Sequence, residues 1–288
     1  MARYKKLAII LRDVDYKKTY KPTKTNTEMF KAIRDERDIV HVTLNRPEIH
    51  NAFGDELIAA MTEFFRNLAK DDGVRLLTLT GEGKSFCAGA DLNWMKSMKD
   101  YSAEENYRDS VALSQLFESL NELPFPTIVI VNGACLGGGT GLISACDYVI
   151  ASSEAKFGFT EVALGLVPAV ISPFVMGKIG EGFARAYFLS GERFDAFEAQ
   201  RMNLVQKVVK PDDLKDAHDK QIKRFLSAGP KAAREAKALI QGVLQRKPQG
   251  IEEVRDFTCK TISRVRIGDE GQEGMAALLE KRKPNWIE

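Results

Sequence analysis

The sequence predicts an α/β fold with largely parallel strands, completed by a helical C-terminal region. Two observations carry that expectation. Up to about residue 190, β-branched runs alternate with stretches of helical period; beyond Gly191 the helical stretches follow one another with little between them. A third observation sets the scale. With 288 residues, 44% hydrophobic and 28% charged, the chain suffices for one large domain with a helical appendage and has an ordinary globular composition.

Taken in order, Ile39–Leu44 is β-branched and alternating and ends at Asn45-Arg46-Pro47, a strand with its stop. Asp55–Ala69 sets Leu57, Ile58, Met61, Phe64, Phe65 and Leu68 at helical spacing. Arg75–Thr80 reads as a second strand, closed by Gly81-Glu82-Gly83. Ala103–Leu123 reads as a long helix stopped by Pro124 and Pro126. Thr127–Val131 is the third strand and Tyr148–Ala151 begins the fourth. Further on, Asp195–Met202, Asp212–Ser227, Pro230–Arg246, Ile251–Val265 and Glu270–Lys281 read as helices, with Val205–Val209 as a strand among them. The expected organisation is a basic extension over 1–28, an α/β core over 29–190, and a helical region over 191–288 that completes the core and mediates assembly. The extension holds eight Lys/Arg against three Asp/Glu and no serine. Acids are present, so it matches a transit peptide poorly; it reads as a basic tail or an over-long start, with Met29 as an alternative initiator.

Composition also narrows the function classes. A net charge of +2 gives no reason to expect nucleic acid as the main partner. No apolar run approaches the ~18 residues of a membrane span. The four cysteines, Cys87, Cys135, Cys146 and Cys259, lack C-x-x-C spacing and sit among apolar or small residues; they read as reduced core thiols of a cytoplasmic protein. His41, His50 and His218 are scattered, so neither a metal site nor a histidine triad is expected.

Three segments, each following a predicted strand, remain for chemistry: Ser85–Leu92, Asn132–Asp147 with its run Gly137-Gly138-Gly139, and Phe157–Pro168. Small residues bring bare backbone close to a ligand, and the first N–H groups of a helix have no internal acceptor. Two backbone donors from different loops and one acid/base side chain make an oxyanion hole with a proton shuttle, an arrangement suited to a thioester carbonyl that becomes an enolate. Glu161 is the acid in the third segment. Alternatives stay open at this point: glycine runs also serve tight strand-to-helix turns, and Thr160-Glu161 also reads as a helix start. Neither a P-loop Lys-Ser/Thr nor a G-x-S-x-G elbow is present.

In this order and spacing the three segments resemble the crotonase (enoyl-CoA hydratase/isomerase) superfamily, as do Asn45-Arg46-Pro47-Glu48 with Asn51-Ala52 and the tail Glu280–Pro284. The resemblance spans roughly residues 37–286. It implies a spiral of ββα units, homotrimers that often pair into hexamers, and an acyl-CoA substrate, with coenzyme A as part of that substrate and no separate cofactor. By motif position it implies that Ala90 and Gly138 supply the oxyanion N–H groups beside Gly137, that Ala88, Asp91 and Leu92 line the adenine side of the CoA site, and that Lys281 meets CoA phosphate. Two-glutamate hydratases carry an acid where this chain has Gly141; their other glutamate corresponds to Glu161. The fuller wording around 90–95, 141–147, 168–175 and 270–274 is similar to bacterial methylglutaconyl-CoA and carboxygeranoyl-CoA hydratases. The expected activity is therefore hydration of an enoyl-CoA, 3-methyl-branched and carboxylated as in 3-methylglutaconyl-CoA, with Glu161 as acid/base and Gly141 leaving space for the branch. The alternatives are a Δ3,Δ2-enoyl-CoA isomerase, for which one base suffices, and a non-catalytic CoA- or RNA-binding relative. The helix over 103–123 disfavours RNA, since it carries a single basic residue, Arg108, among several acids.

Overall fold

The computed structural model describes residues 16–19 and 28–287. Of the basic extension it therefore includes strand β1 (Tyr16–Thr19) and Glu28; the other expectations for 1–27 lie outside the described residues. The chain divides into two compact units, the first running through Leu123 and resuming over Thr127–Asp219, the second made of Pro124–Pro126 and Lys220–Glu288.

The first unit opens with β2 (Phe30–Asp35), β3 (Ile39–Leu44) and α1 (Asp55–Leu68). Every residue of β3 is buried, and α1 turns Leu57, Ile58, Met61, Phe65 and Leu68 inward while Asp55 and Glu56 face its positive N-terminus. Three ββα turns follow. The first is β4 (Leu76–Gly81), β5 (Ser85–Cys87), then α2 (Leu92–Ser97) and α3 (Ala103–Asn121). The second is β6 (Thr127–Val131), β7 (Ala134–Leu136) and α4 (Gly138–Ser144). The third is β8 (Tyr148–Ser152), β9 (Lys156–Gly158) and α5 (Ser172–Ser190). In each turn the first strand joins a large sheet, ordered β1-β2-β3-β4-β6-β8 and closed by β11 (Lys207–Val209), and the second joins a small one, β5-β7-β9, closed by β10 (Arg193–Asp195). Pairing is parallel from β3 to β11 and from β5 to β9, and antiparallel at β1-β2-β3 and at β9-β10. This is the expected spiral.

Sequence pattern located the large-sheet strands β3, β4, β6, β8 and β11 but not β1 or β2, and it missed the small sheet, whose three-residue strands contain no β-branched residue, unlike β11 with its two valines. It also missed α5, in which Gly180 (φ 72°, ψ 170°) breaks the helix into two pieces. α3 begins at a capping box, Ser102 with Glu105.

A buried polar seam crosses β2, β3 and β4. His41 Nε2 lies 3.2 Å from Asp35 Oδ2 and its Nδ1 2.8 Å from Thr78 Oγ1. His218, on α7 (Leu214–Leu226), packs edge-on to His41 with ring centroids 6.3 Å apart. Both ring nitrogens of His218 are buried without a hydrogen-bond partner, and burial lowers its pKa to about 3.

After α6 (Ala196–Arg201) and α7, the second unit holds α8 (Pro230–Arg246), α9 (Ile251–Ile267) and α10 (Asp269–Leu279). Glu270 accepts the N–H groups of Lys231 and Ala232 at 2.9 and 2.6 Å, so a side chain of α10 caps α8. The cysteine expectation needs one correction: Cys87, Cys135 and Cys146 are buried, but Cys259 is exposed, because α9 turns no fully buried face inward. Among the described residues no helix is long and apolar enough to cross a membrane.

Candidate active site

The three candidate segments leave the carboxyl ends of β5, β7 and β9, adjacent parallel strands of the small sheet. Ligands of parallel α/β sheets sit at such ends. The glycine turn takes the middle place, with residues 88–92 on one side and 159–161 on the other. These are not the ends of the large-sheet strands from which the sequence reading placed them.

Gly137 is the meeting point. Its backbone (φ 49°, ψ −122°) lies where L side chains are rarely found, and its N–H donates to Gly158 O at 3.0 Å. A Cβ on Gly137 would stand 3.4 Å from Glu161 Oε1 and 3.8 Å from Gly89 Cα. The acid and both loops thus converge around Gly137, where the backbone conformation rather than crowding calls for glycine.

Two N–H groups stand beside it. Ala90 pairs with Phe53 in an isolated parallel bridge, whose hydrogen bonds run from Phe53 N–H to Gly89 O and from Asp91 N–H to Phe53 O, both 2.7 Å. The N–H of Ala90 enters neither, and Ala90 is exposed. Gly138 is the first residue of α4 and half-buried, so its N–H precedes every intrahelical acceptor.

Glu161 lies in a 3-10 turn over Thr160–Leu164, half-buried, with Oε2 buried and without a hydrogen-bond partner. Burial pushes its carboxyl above the usual carboxylate range, against the pull of a backbone hydrogen bond. A desolvated carboxyl with one oxygen uncommitted is equipped to move a proton.

The other predicted residues are distributed less simply. Ala88 is half-buried, its N–H given to His50 O at 3.0 Å, and Leu92 is 73% exposed at the start of α2. The side chain of Asp91 serves the scaffold. Buried, it caps α2 by accepting Asn93 N–H at 2.7 Å and Trp94 N–H at 3.4 Å on Oδ1, while Oδ2 takes Arg46 Nη2 at 3.3 Å. Lys281 belongs to the second unit, exposed and left-handed (φ 55°) just past α10. The expected space at Gly141 is also corrected. A Cβ there would meet Ile171 Cγ2 at 2.5 Å and Phe117 Cε1 and Cζ at 2.9 Å, so the position is already filled by apolar side chains.

Sequence reasoning missed those fillers and Phe53, whose ring would stand 2.7 Å from a Cβ on Gly138. Phe53, Phe117 and Phe174 run as a column, with centroids 6.3 and 5.9 Å apart. Their one signal was indirect: glycines at 138 and 141 imply neighbours that approach closely.

Residues 34–288 match the family model described as Enoyl-CoA hydratase/isomerase. The crotonyl-CoA hydratase of Syntrophomonas wolfei is 34% identical over 258 residues, 88% of this chain and 96% of that protein. A Legionella pneumophila crystal structure, assigned to the enoyl-CoA hydratases/isomerases (crotonase), is 42% identical with a TM-score of 0.83, over 90% of this chain and 99% of that one. The enoyl-CoA hydratase of Shewanella pealeana is 36% identical with a TM-score of 0.85, over 91% and 97%.

Proposed function

The chain belongs to the enoyl-CoA hydratase/isomerase family of the crotonase superfamily, and from that premise we propose that it hydrates a 2-enoyl-CoA with Glu161 as its acid/base. One observation carries the reading: Glu161 offers a desolvated carboxyl, one oxygen uncommitted, beside the glycine that opens α4. The thioester oxygen is held between the N–H groups of Ala90 and Gly138 while negative charge gathers on it. Donors of this kind are worth about 2.7–4 kcal/mol each in the transition state. Glu161 orients a water whose oxygen adds to C3 and relays a proton to C2, giving the 3-hydroxyacyl thioester.

The finer features are carried over from the resemblance. The acyl group is 3-methyl-branched and carboxylated, as in 3-methylglutaconyl-CoA; because the face at Gly141 is filled, the branch lies elsewhere. CoA runs past Ala88 and Leu92, Lys281 of a neighbouring subunit meets its phosphate, and the assembly is a homotrimer or hexamer. The filled face favours one second reading, a Δ3,Δ2-isomerase in which Glu161 alone takes a proton from C2 and returns it at C4.

Glu161→Gln tests the proposal. Turnover falls by about 10²–10⁴ while CoA binding is kept, and the acid limb of kcat/KM, set above the ordinary glutamate value in the native protein, disappears. Near-normal turnover removes Glu161 from the chemistry. Product identity on a panel of linear, branched and carboxylated enoyl-CoAs separates hydration from isomerisation.

A further inference from the structure

Ile171 stands at the entrance to α5, ten residues after Glu161 along the same connection. Residues 163–167 between them are exposed; the first buried residues after Glu161 are Pro168 and Ile171. Ile171 Cγ2 fills the place over Gly141, next to Phe117. It therefore ties the segment bearing the acid to the helix bearing the oxyanion donor. That helix has seven residues, three of them glycine, so it has little stability of its own and takes its position from packing. Ile171 is 3% exposed and Phe117 0%, which means that neither presents a surface to a bound molecule and both act through α4.

We propose that Ile171 is a positioning residue, whose contact with the bare Cα of Gly141 sets the separation between the Glu161 carboxyl and the Gly138 N–H. The proposal rests on the reading of Glu161 as acid/base. Close-packed interiors transmit small displacements rather than absorb them, and misplacement of a reacting group by 1 Å costs about 10²-fold in rate.

The test uses the full chain with Ile171→Ala and Ile171→Val, and Glu161→Gln alongside. In Ile171→Ala, kcat falls by about ten- to a hundred-fold with little change in KM. The acid limb moves toward the ordinary glutamate value as water enters beside Glu161, and Ile171→Val recovers most of both. A merely structural Ile171 would lower the melting temperature and leave kcat and the limb in place, and that result overturns the proposal. If the Ala variant does not fold, wild-type kcat and limb in Ile171→Leu, which removes the Cγ2 branch over Gly141 that valine keeps, overturn it equally. If Glu161→Gln keeps its turnover, the acid/base reading fails instead, whatever Ile171 does.

Discussion

A methyl group at position 141 probes the filled wall directly. Its Cβ would stand 2.5 Å from Ile171 Cγ2 and 2.9 Å from two ring carbons of Phe117. Carbon atoms rest at about 3.5–4.0 Å, so all three contacts are short by about 1 Å. Phe117 has no room to yield: it is fully buried, with Phe53 and Phe174 packed against it. Overpacking of this kind costs about 1–3 kcal/mol, offset by the roughly 1 kcal/mol that alanine gains over glycine inside a helix. The net is a loss centred near 1 kcal/mol, a melting temperature lower by about 2–4 °C. Gly177→Ala is the control. It too lies in a helix, and nothing is within 4 Å of its Cβ, so it is expected to be neutral or stabilising. Gly141→Glu adds a carboxylate among apolar groups and is expected to lose several kcal/mol without gaining hydration. Thermal melts of the three variants, with turnover on the enoyl-CoA panel, decide the matter. Gly141→Ala as stable as Gly177→Ala, or a folded Gly141→Glu that hydrates faster, would refute the wall.

Two further outcomes concern the frame around the site. His218 stays neutral in the fold down to about pH 3, whereas the unfolded chain protonates it below about 6.5. Its contribution is therefore complete above pH 6.5 and is lost on acidification toward pH 3, by up to about 1.4 kcal/mol per unit. His41, Arg37 and Asp219 face it. His218→Leu is expected to flatten that window in urea titrations at pH 4 to 7. Below about pH 4 Asp35 adds to the slope, together with Glu198 and Glu273: burial raises the Asp35 carboxyl, but hydrogen bonds from His41, Arg37 and Ile39 outweigh burial and hold it at about 2. An unchanged slope between pH 4 and 6.5 would count against this assignment. Asp91→Ala is expected to lose about 1–2 kcal/mol with its cap and Asp91→Asn much less, as read by thermal melts; equal losses would rule out capping as its main role.

The large sheet was legible because β3, β6 and β8 are runs of five or six residues rich in Val and Ile. The small sheet was not, although the site hangs from it: Ser85–Cys87, Ala134–Leu136 and Lys156–Gly158 are held in place by their neighbours rather than by their own pattern. Glu161 was legible as an acid in an apolar stretch, and the turn at 137 through its glycines. The capping role of Asp91 was not read from the sequence, although a short carboxylate just before a helix is its usual signal. Gly141 misled in a different way. A missing side chain in sequence reads as empty space, yet the volume belonged to Ile171 and Phe117, which lie thirty residues after it and twenty-four before it.

That last point bears on how the reaction is chosen. The proposed oxyanion donors are main-chain groups, which no substitution short of proline removes, and the proposed acid/base is a single carboxyl. What remains variable are the side chains that glycine admits: Phe53 against Gly138, and Ile171 and Phe117 against Gly141. Hydration and isomerisation draw on the same enolate and the same base; they differ in whether a water can be held at C3 or the base must reach C4. Ile171 and Phe117 are buried against Gly141, so a substitution at either is expected to move α4 and its Gly138 N–H relative to Glu161 before it changes the base itself. Because residues 117 and 171 reach the site only through α4, a changed partition between the two products is the expected result of altering them. The ratio of hydroxyacyl to shifted-alkene product in Ile171→Ala against the native protein measures that control, and an unchanged ratio at reduced rate would assign the choice to Glu161 alone.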